Sequence, residues 1–182
     1  MKRALLVLFI GLALILAQGI LRILPLASAL VPNLMLPLVV YLAFYLPTPA
    51  GAMSAFLIGL EYDIFASRSL LGPYAGAYVV VFALVASFSQ RLFLESLVTV
   101  CLTVFVSVLI SYAVYVILVS QFMPVGSLIA EMGRYLFVEG LVTACVTPFL
   151  FQLFNWTIRL DTKAVPAERA RRSASGRYQR VM

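Results

Sequence analysis

LVTVCLTVFVSVLISYAVYVILVSQF, from Leu97 to Phe122, runs for 26 residues without one charged side chain. Wound as an α-helix at 1.5 Å per residue it is about 39 Å long, more than the roughly 30 Å hydrocarbon core of a bilayer. The composition of the whole chain agrees with that reading. Apolar residues are 64% of the 182 and charged residues 11%, where a soluble domain has roughly 45–50% and 25%. A globular domain of this size has no interior that hides so much apolar surface, and disorder requires the opposite balance of charge and hydrophobicity. The bilayer is the solvent that suits the chain.

Working outward from this run, Pro124 and Gly126 open a connection that reads as polar as far as Arg134, and a further apolar run occupies Tyr135–Ile158. Upstream lie Pro73–Gln90, then about Ala50–Ala66 with Glu61 and Asp63 near its end, then Leu34–Leu46, and first Ala4–Leu24 behind Lys2 and Arg3. Six runs predict an all-α integral membrane protein, six transmembrane helices in one bundle over 1–160, followed by a basic, disordered cytoplasmic tail over 161–182. Two readings stand for Leu34–Leu46, which is short and holds Pro37. It is either a thin span, or half of a re-entrant hairpin with the third run around Pro47-Thr48-Pro49. Ala27-Ser28-Ala29 offers a signal-peptidase-like site, but the first run is longer than a signal core and is read as a retained span.

With both termini cytoplasmic, ten Lys/Arg fall inside and three (Arg22, Arg68, Arg134) outside, the bias that multi-pass proteins of the inner membrane show. Much of it comes from the tail, which holds six Lys/Arg against two Asp/Glu and suits contact with anionic lipid. One aromatic, Tyr178, is too little for nucleic-acid stacking.

The chain has no histidine, and its lysines are Lys2 and Lys163 alone. Histidine-based triads and zinc helices are therefore excluded, and no phosphate-binding loop is present. Cys101 and Cys145 sit in apolar runs and read as free thiols. No catalytic residue, metal ligand or cofactor is expected. Gly51, Ala55 and Gly59 recur every fourth residue, a flat stripe for close helix approach. Gly72 with Gly76 and Ser107 with Ser111 extend the pattern, and Ala13 with Ala17 is a weaker case. Glu61 and Asp63 are about 200° apart on a helix and cannot form a dyad on one face. Ionisable groups at membrane depth face partners or cavities, and Arg68 is the expected counter-ion of Asp63. Glu139 is expected to reach the surface, and Arg91 with Glu95 to form a solvated pair.

Pro32-Asn33-Leu34-Met35-Leu36, then Gly59-Leu60-Glu61-Tyr62-Asp63, then Leu71-Gly72 resemble the rod-shape-determining protein MreD family over about Pro32–Arg91. In that family a Pro-Asp/Asn opens a short span, a Gly-x-x-x-Asp ends the next, and Leu-Gly follows. Glu61 and the long basic tail depart from its usual pattern. The resemblance implies a non-enzymatic inner-membrane scaffold of the bacterial elongation complex. Its partners would be MreC directly, and MreB and the RodA–transpeptidase pair directly or through others. It also implies a six-helix fold similar to the substrate-binding subunits of energy-coupling-factor transporters. A small-molecule transporter subunit is accordingly the alternative function. On either reading Asn33, Glu61, Asp63, Arg68 and Gly72 are the candidate partner- or ligand-binding residues, while Gly51, Ala55, Gly59 and Gly76 set helix packing.

Overall fold

The MLPLVVYLAFY segment has no polar face, and a helix that is apolar all round belongs inside a protein. The computed structural model, which describes residues 2–23, 31–46, 48–65, 71–89, 97–122 and 126–158, puts it there. Six helices form: α1 (Lys2–Ile23), α2 (Met35–Tyr45), α3 (Thr48–Phe65), α4 (Pro73–Phe88), α5 (Leu97–Ser120) and α6 (Gly126–Ile158). No strand occurs among the described residues. Every α2 residue from Met35 to Phe44 is buried, and α2 touches all five other helices. It is the core of the bundle. Pro37 is its third residue, where the missing N–H is one that no helix bonds internally, so the proline is tolerated.

By length and apolarity alone, Leu97–Ser120 and Leu136–Thr157 suffice to cross a membrane, and Val7–Leu21, Met35–Tyr45 and Pro73–Phe88 are shorter apolar helices. The contacts between helices give their directions. Gly11 lies against Ile58 and Glu61, while residues 15–23 of α1 share a cleft with Tyr62 and Phe65, so α1 and α3 run parallel. Asn33 bonds Thr143 and Tyr41 bonds Asn155, so α2 and α6 also run parallel. Gly51 meets Phe82 whereas Gly59 meets Ala75, which makes α3 and α4 antiparallel. Gly76 meets Leu118, and Gly140 meets Phe105, continuing the alternation through α5 and α6. Odd-numbered helices point one way and even-numbered helices the other.

The small-residue stripe of α3 is internal packing against α4, the most extensive helix pair in the bundle. At Gly59 an added Cβ would lie 2.7 Å from the Tyr74 carbonyl oxygen and equally close to the Ala75 backbone. At Gly51 it would overlap the Phe82 ring. Gly76 faces Leu118 of α5, and Ser107 and Ser111 are buried.

Several expectations are corrected. Gly72 has open space around its Cβ position and a φ of 115°, so it serves backbone conformation and not packing. On α1 the buried stripe is Val7, Gly11, Leu14, Ile15 and Gln18, and Ala13 and Ala17 face outward. The helical phase excludes them from the contact. The polar connection expected up to Arg134 is helical from Gly126. Charge ends an apolar run but not a helix, and Leu128, Ala130, Glu131 and Met132 are good helix formers. Pro148 lies inside α6, where its missing N–H leaves the Ala144 carbonyl without its helical donor; one residue earlier Thr147 donates its hydroxyl to the Thr143 carbonyl at 2.6 Å. Cys101 and Cys145 are free, but Cys145 is exposed and not buried.

The close approach at Gly59 generates a prediction. Gly59→Val places branched atoms against backbone that cannot move aside, and overpacking of this kind destabilises by about 1–3 kcal/mol. Thermal unfolding of the purified protein in detergent should show a clearly lowered midpoint, while Gly19→Val, in open space, should leave it nearly unchanged.

Candidate functional site

Gly72 begins α4 in the left-handed region and offers no side chain to cap the helix. Pro73 follows and has no N–H to satisfy. The remaining first-turn donors need an acceptor from elsewhere, and Asp63 of α3 provides it. Its Oδ2 accepts the Gly72 N–H at 3.0 Å and the Ala75 N–H at 3.1 Å, and its Oδ1 accepts the Tyr74 N–H at 3.2 Å. The Gly76 N–H then bonds the Gly72 carbonyl at 2.9 Å, the first bond of the helix proper. Every donor at this helix start is thereby accounted for. The carboxylate, 4% exposed, also sits at the positive end of the α4 dipole. Among the described residues, backbone N–H groups take the place expected for a counter-ion. Arg68 lies outside the described residues.

Asn33 organises the start of α2 in a related way. Its side-chain oxygen accepts the Met35 N–H at 3.2 Å and the Tyr78 hydroxyl at 3.3 Å. Its own N–H donates to the Thr143 hydroxyl at 3.0 Å. One buried asparagine thus links α2, α4 and α6. Tyr78 belongs to a cluster of four tyrosines: Tyr74 packs on Tyr115 with ring centroids 4.4 Å apart and on Tyr62 at 4.7 Å, and Tyr78 lies about 6 Å from Tyr62 and Tyr74. Glu139 is half-buried within electrostatic range of Tyr78; it lines this cluster where the sequence suggested a reach to the surface.

Of the five candidate residues, the fold brings Asn33, Asp63 and Gly72 to one end of the bundle. Glu61 stands apart, as the 200° angle required. It faces α1, where its Oε2 fills the space left by the absent side chain of Gly11 (a Cβ there would be 2.7 Å away) and has no hydrogen-bond partner. Gln18 of α1, 3% exposed, has both amide atoms unpartnered. Sequence reasoning passed over Gln18, Tyr78, Thr143 and Thr147. Gln18 was findable as the one amide in the Ala4–Leu24 run, and the hydroxyls by their i,i+4 spacing on α6. Arg91 and Glu95 and the basic tail lie outside the described residues.

This end of the bundle joins helices. Asp63→Ala would leave three backbone donors without an acceptor and should destabilise by roughly 2–4 kcal/mol. Asp63→Asn keeps one acceptor oxygen but turns an amide N–H toward another N–H. The expected order of melting midpoints in detergent is wild type, then Asn, then Ala. Equal midpoints for all three would remove the capping account.

The profile of the family described as rod shape-determining protein MreD matches residues 2–157, which reach into all six helices. No curated protein and no solved structure matches the chain. The family is one of membrane proteins acting in rod-shape determination, and the helices described above are of the apolar kind that such proteins need. With the match covering most of its length, the chain belongs to the MreD family.

Proposed function

We propose that this chain is a non-enzymatic six-span scaffold of the bacterial elongation complex, which binds MreC and helps to position the peptidoglycan synthase. The family match over residues 2–157 carries the reading. It is supported by the way the membrane-depth polar groups at the Asn33–Asp63 end are used: they hold helices to one another. MreB and the RodA–transpeptidase pair are reached directly or through MreC, and the basic tail rests on anionic lipid. In the alternative reading, a transporter subunit similar to those of energy-coupling-factor systems, a ligand would occupy the bundle interior. The fully buried α2 side chains fill that position among the described residues, which favours the scaffold.

All six helices cross the inner membrane in this reading, with both termini in the cytoplasm. The alternating helix directions support it, as does burial of the short α2, which needs no lipid-facing length of its own. Cysteine placed at the exposed Thr48 should react with an impermeant maleimide from the cytoplasmic side only. Protection from both sides would favour the re-entrant hairpin.

The function itself is tested in a rod-shaped bacterium depleted of its own family member. Expression of this chain should restore rods, and MreC should co-purify with it. A chain present in the membrane at normal level that restores no rods and retains no MreC would overturn the scaffold. Native mass measurement of a tightly bound small molecule, together with a transport ATPase in the same preparation, would establish the alternative.

A further inference from the structure

Where α1 runs beyond Ile15 it parts from α3. A cleft of about 290 Å³ opens between residues 15–23 of α1 and Tyr62 and Phe65 of α3. Val7, Leu14 and Ile15 are buried in the core, but Leu16, Ala17, Gly19, Ile20, Leu21 and Ile23 are all exposed. Leu21 lies one turn past Gln18 and is still 39% exposed, so the bundle has let go of the helix there. Among the described residues of α1 past Ile15, Gln18 alone is buried. Its amide Nε2 and Oε1 are enclosed by the protein and have no partner.

We propose that this end of α1, Leu16–Ile23, is a lid that opens and closes over Tyr62, hinged on the packed part of the helix at Leu14 and Ile15. One side chain sets the two arrangements against each other. Closed, as in this structure, the lid buries the Gln18 stem and leaves its amide unpaired, which a low-dielectric interior penalises. Open, it gives up that stem and frees the amide. Gln18 sits five residues, about 8 Å, before the helix end at Ile23, and from there its amide reaches water as other long polar side chains do near helix ends. No other described residue past Ile15 adds a buried side chain to the closed form, so both forms are populated. The lid covers the tyrosine cluster. Tyr62, 7% exposed, packs edge-on to Tyr74 at 4.7 Å, and Tyr74 packs on Tyr115 at 4.4 Å. Tyr62 directly precedes Asp63, the cap of α4, so opening uncovers the Asn33–Asp63 end from the α3 side.

Distances between spin labels on the full chain in nanodiscs test this, with Cys101 and Cys145 first replaced by alanine. Labels at Ile20→Cys and Leu71→Cys, both exposed positions, span the lid and the start of α4. Labels at Phe9→Cys and Met53→Cys, also exposed, span the packed parts of α1 and α3. The first pair should show two distance populations and the second pair one. Gln18→Leu removes the unpaired amide and gives the lid an apolar hold, so it should lower the open population about threefold or more. Gln18→Met, unbranched and similar in length, should do the same. A single population for the first pair, two populations for both pairs, or an open fraction that neither substitution lowers would overturn the lid.

Discussion

The bond set between Asp63 and the start of α4 is the constraint on which the bundle depends. A helix start leaves its first backbone donors without internal partners, and α4 begins with Gly72 and Pro73, which supply no side-chain cap. The acceptor must come from another helix at a fixed height. Asp63 supplies it only if α3 and α4 lie close enough for one carboxylate to reach the N–H groups of Gly72, Tyr74 and Ala75. Gly59, one turn earlier, permits that distance by letting the backbone of α3 meet that of Tyr74 and Ala75. The Gly59–Asp63–Gly72 pattern is therefore one device: close approach, acceptor, and a left-handed residue that turns the donors toward the acceptor.

Burial of α2 follows from the same geometry. With α3 and α4 locked, and α5 and α6 continuing the alternation, the short helix is enclosed on every side. Eleven residues are about 17 Å of helix, too little for a lipid-facing span but enough for a core that other helices line. Its ends carry the polar ties. Asn33 holds one end to Tyr78 and Thr143, and the Tyr41 hydroxyl holds the other to Asn155 at 2.8 Å. Between them the helix is hydrocarbon and aromatic, with Tyr41 packed edge-on to Phe151.

The six helices were legible because apolar runs broken by charge, proline and glycine map directly onto backbone that must bond internally in lipid. The α3 stripe was legible because four-residue spacing has one geometric meaning on a helix. The use of Asp63 was legible only as far as its depth. A carboxylate between two helices announces that it needs a partner, and arginine is the partner a sequence displays. Backbone donors carry no letter of their own, so the cap at Gly72–Ala75 was hidden. Gly72 illustrates the same limit, since packing glycines and left-handed glycines share a symbol. The start of α6 was misplaced because hydropathy reports where a membrane ends and says nothing about where a helix does.

Among the described residues, most of the unpaired buried polar atoms gather where α1 meets α3. Asn33, Tyr41, Asp63, Thr143 and Thr147 all have partners among α2, α3, α4 and α6. Of the buried side-chain atoms without one, the Tyr112 hydroxyl lies on α5, and the others, on Gln18 and Glu61, lie where α1 meets α3. The same helix exposes Phe9, Leu16, Ile20 and Ile23 on its outer side. Hydrogen bonding closes around the central helix and is left open at its first neighbour in sequence. Among the described residues, the unpartnered atoms of Gln18 and Glu61 mark the α1–α3 contact as the less hydrogen-bonded seam of the bundle. The Asn33–Asp63 end, by contrast, ties α2, α3, α4 and α6 through backbone and side-chain hydrogen bonds that hold those helices in register.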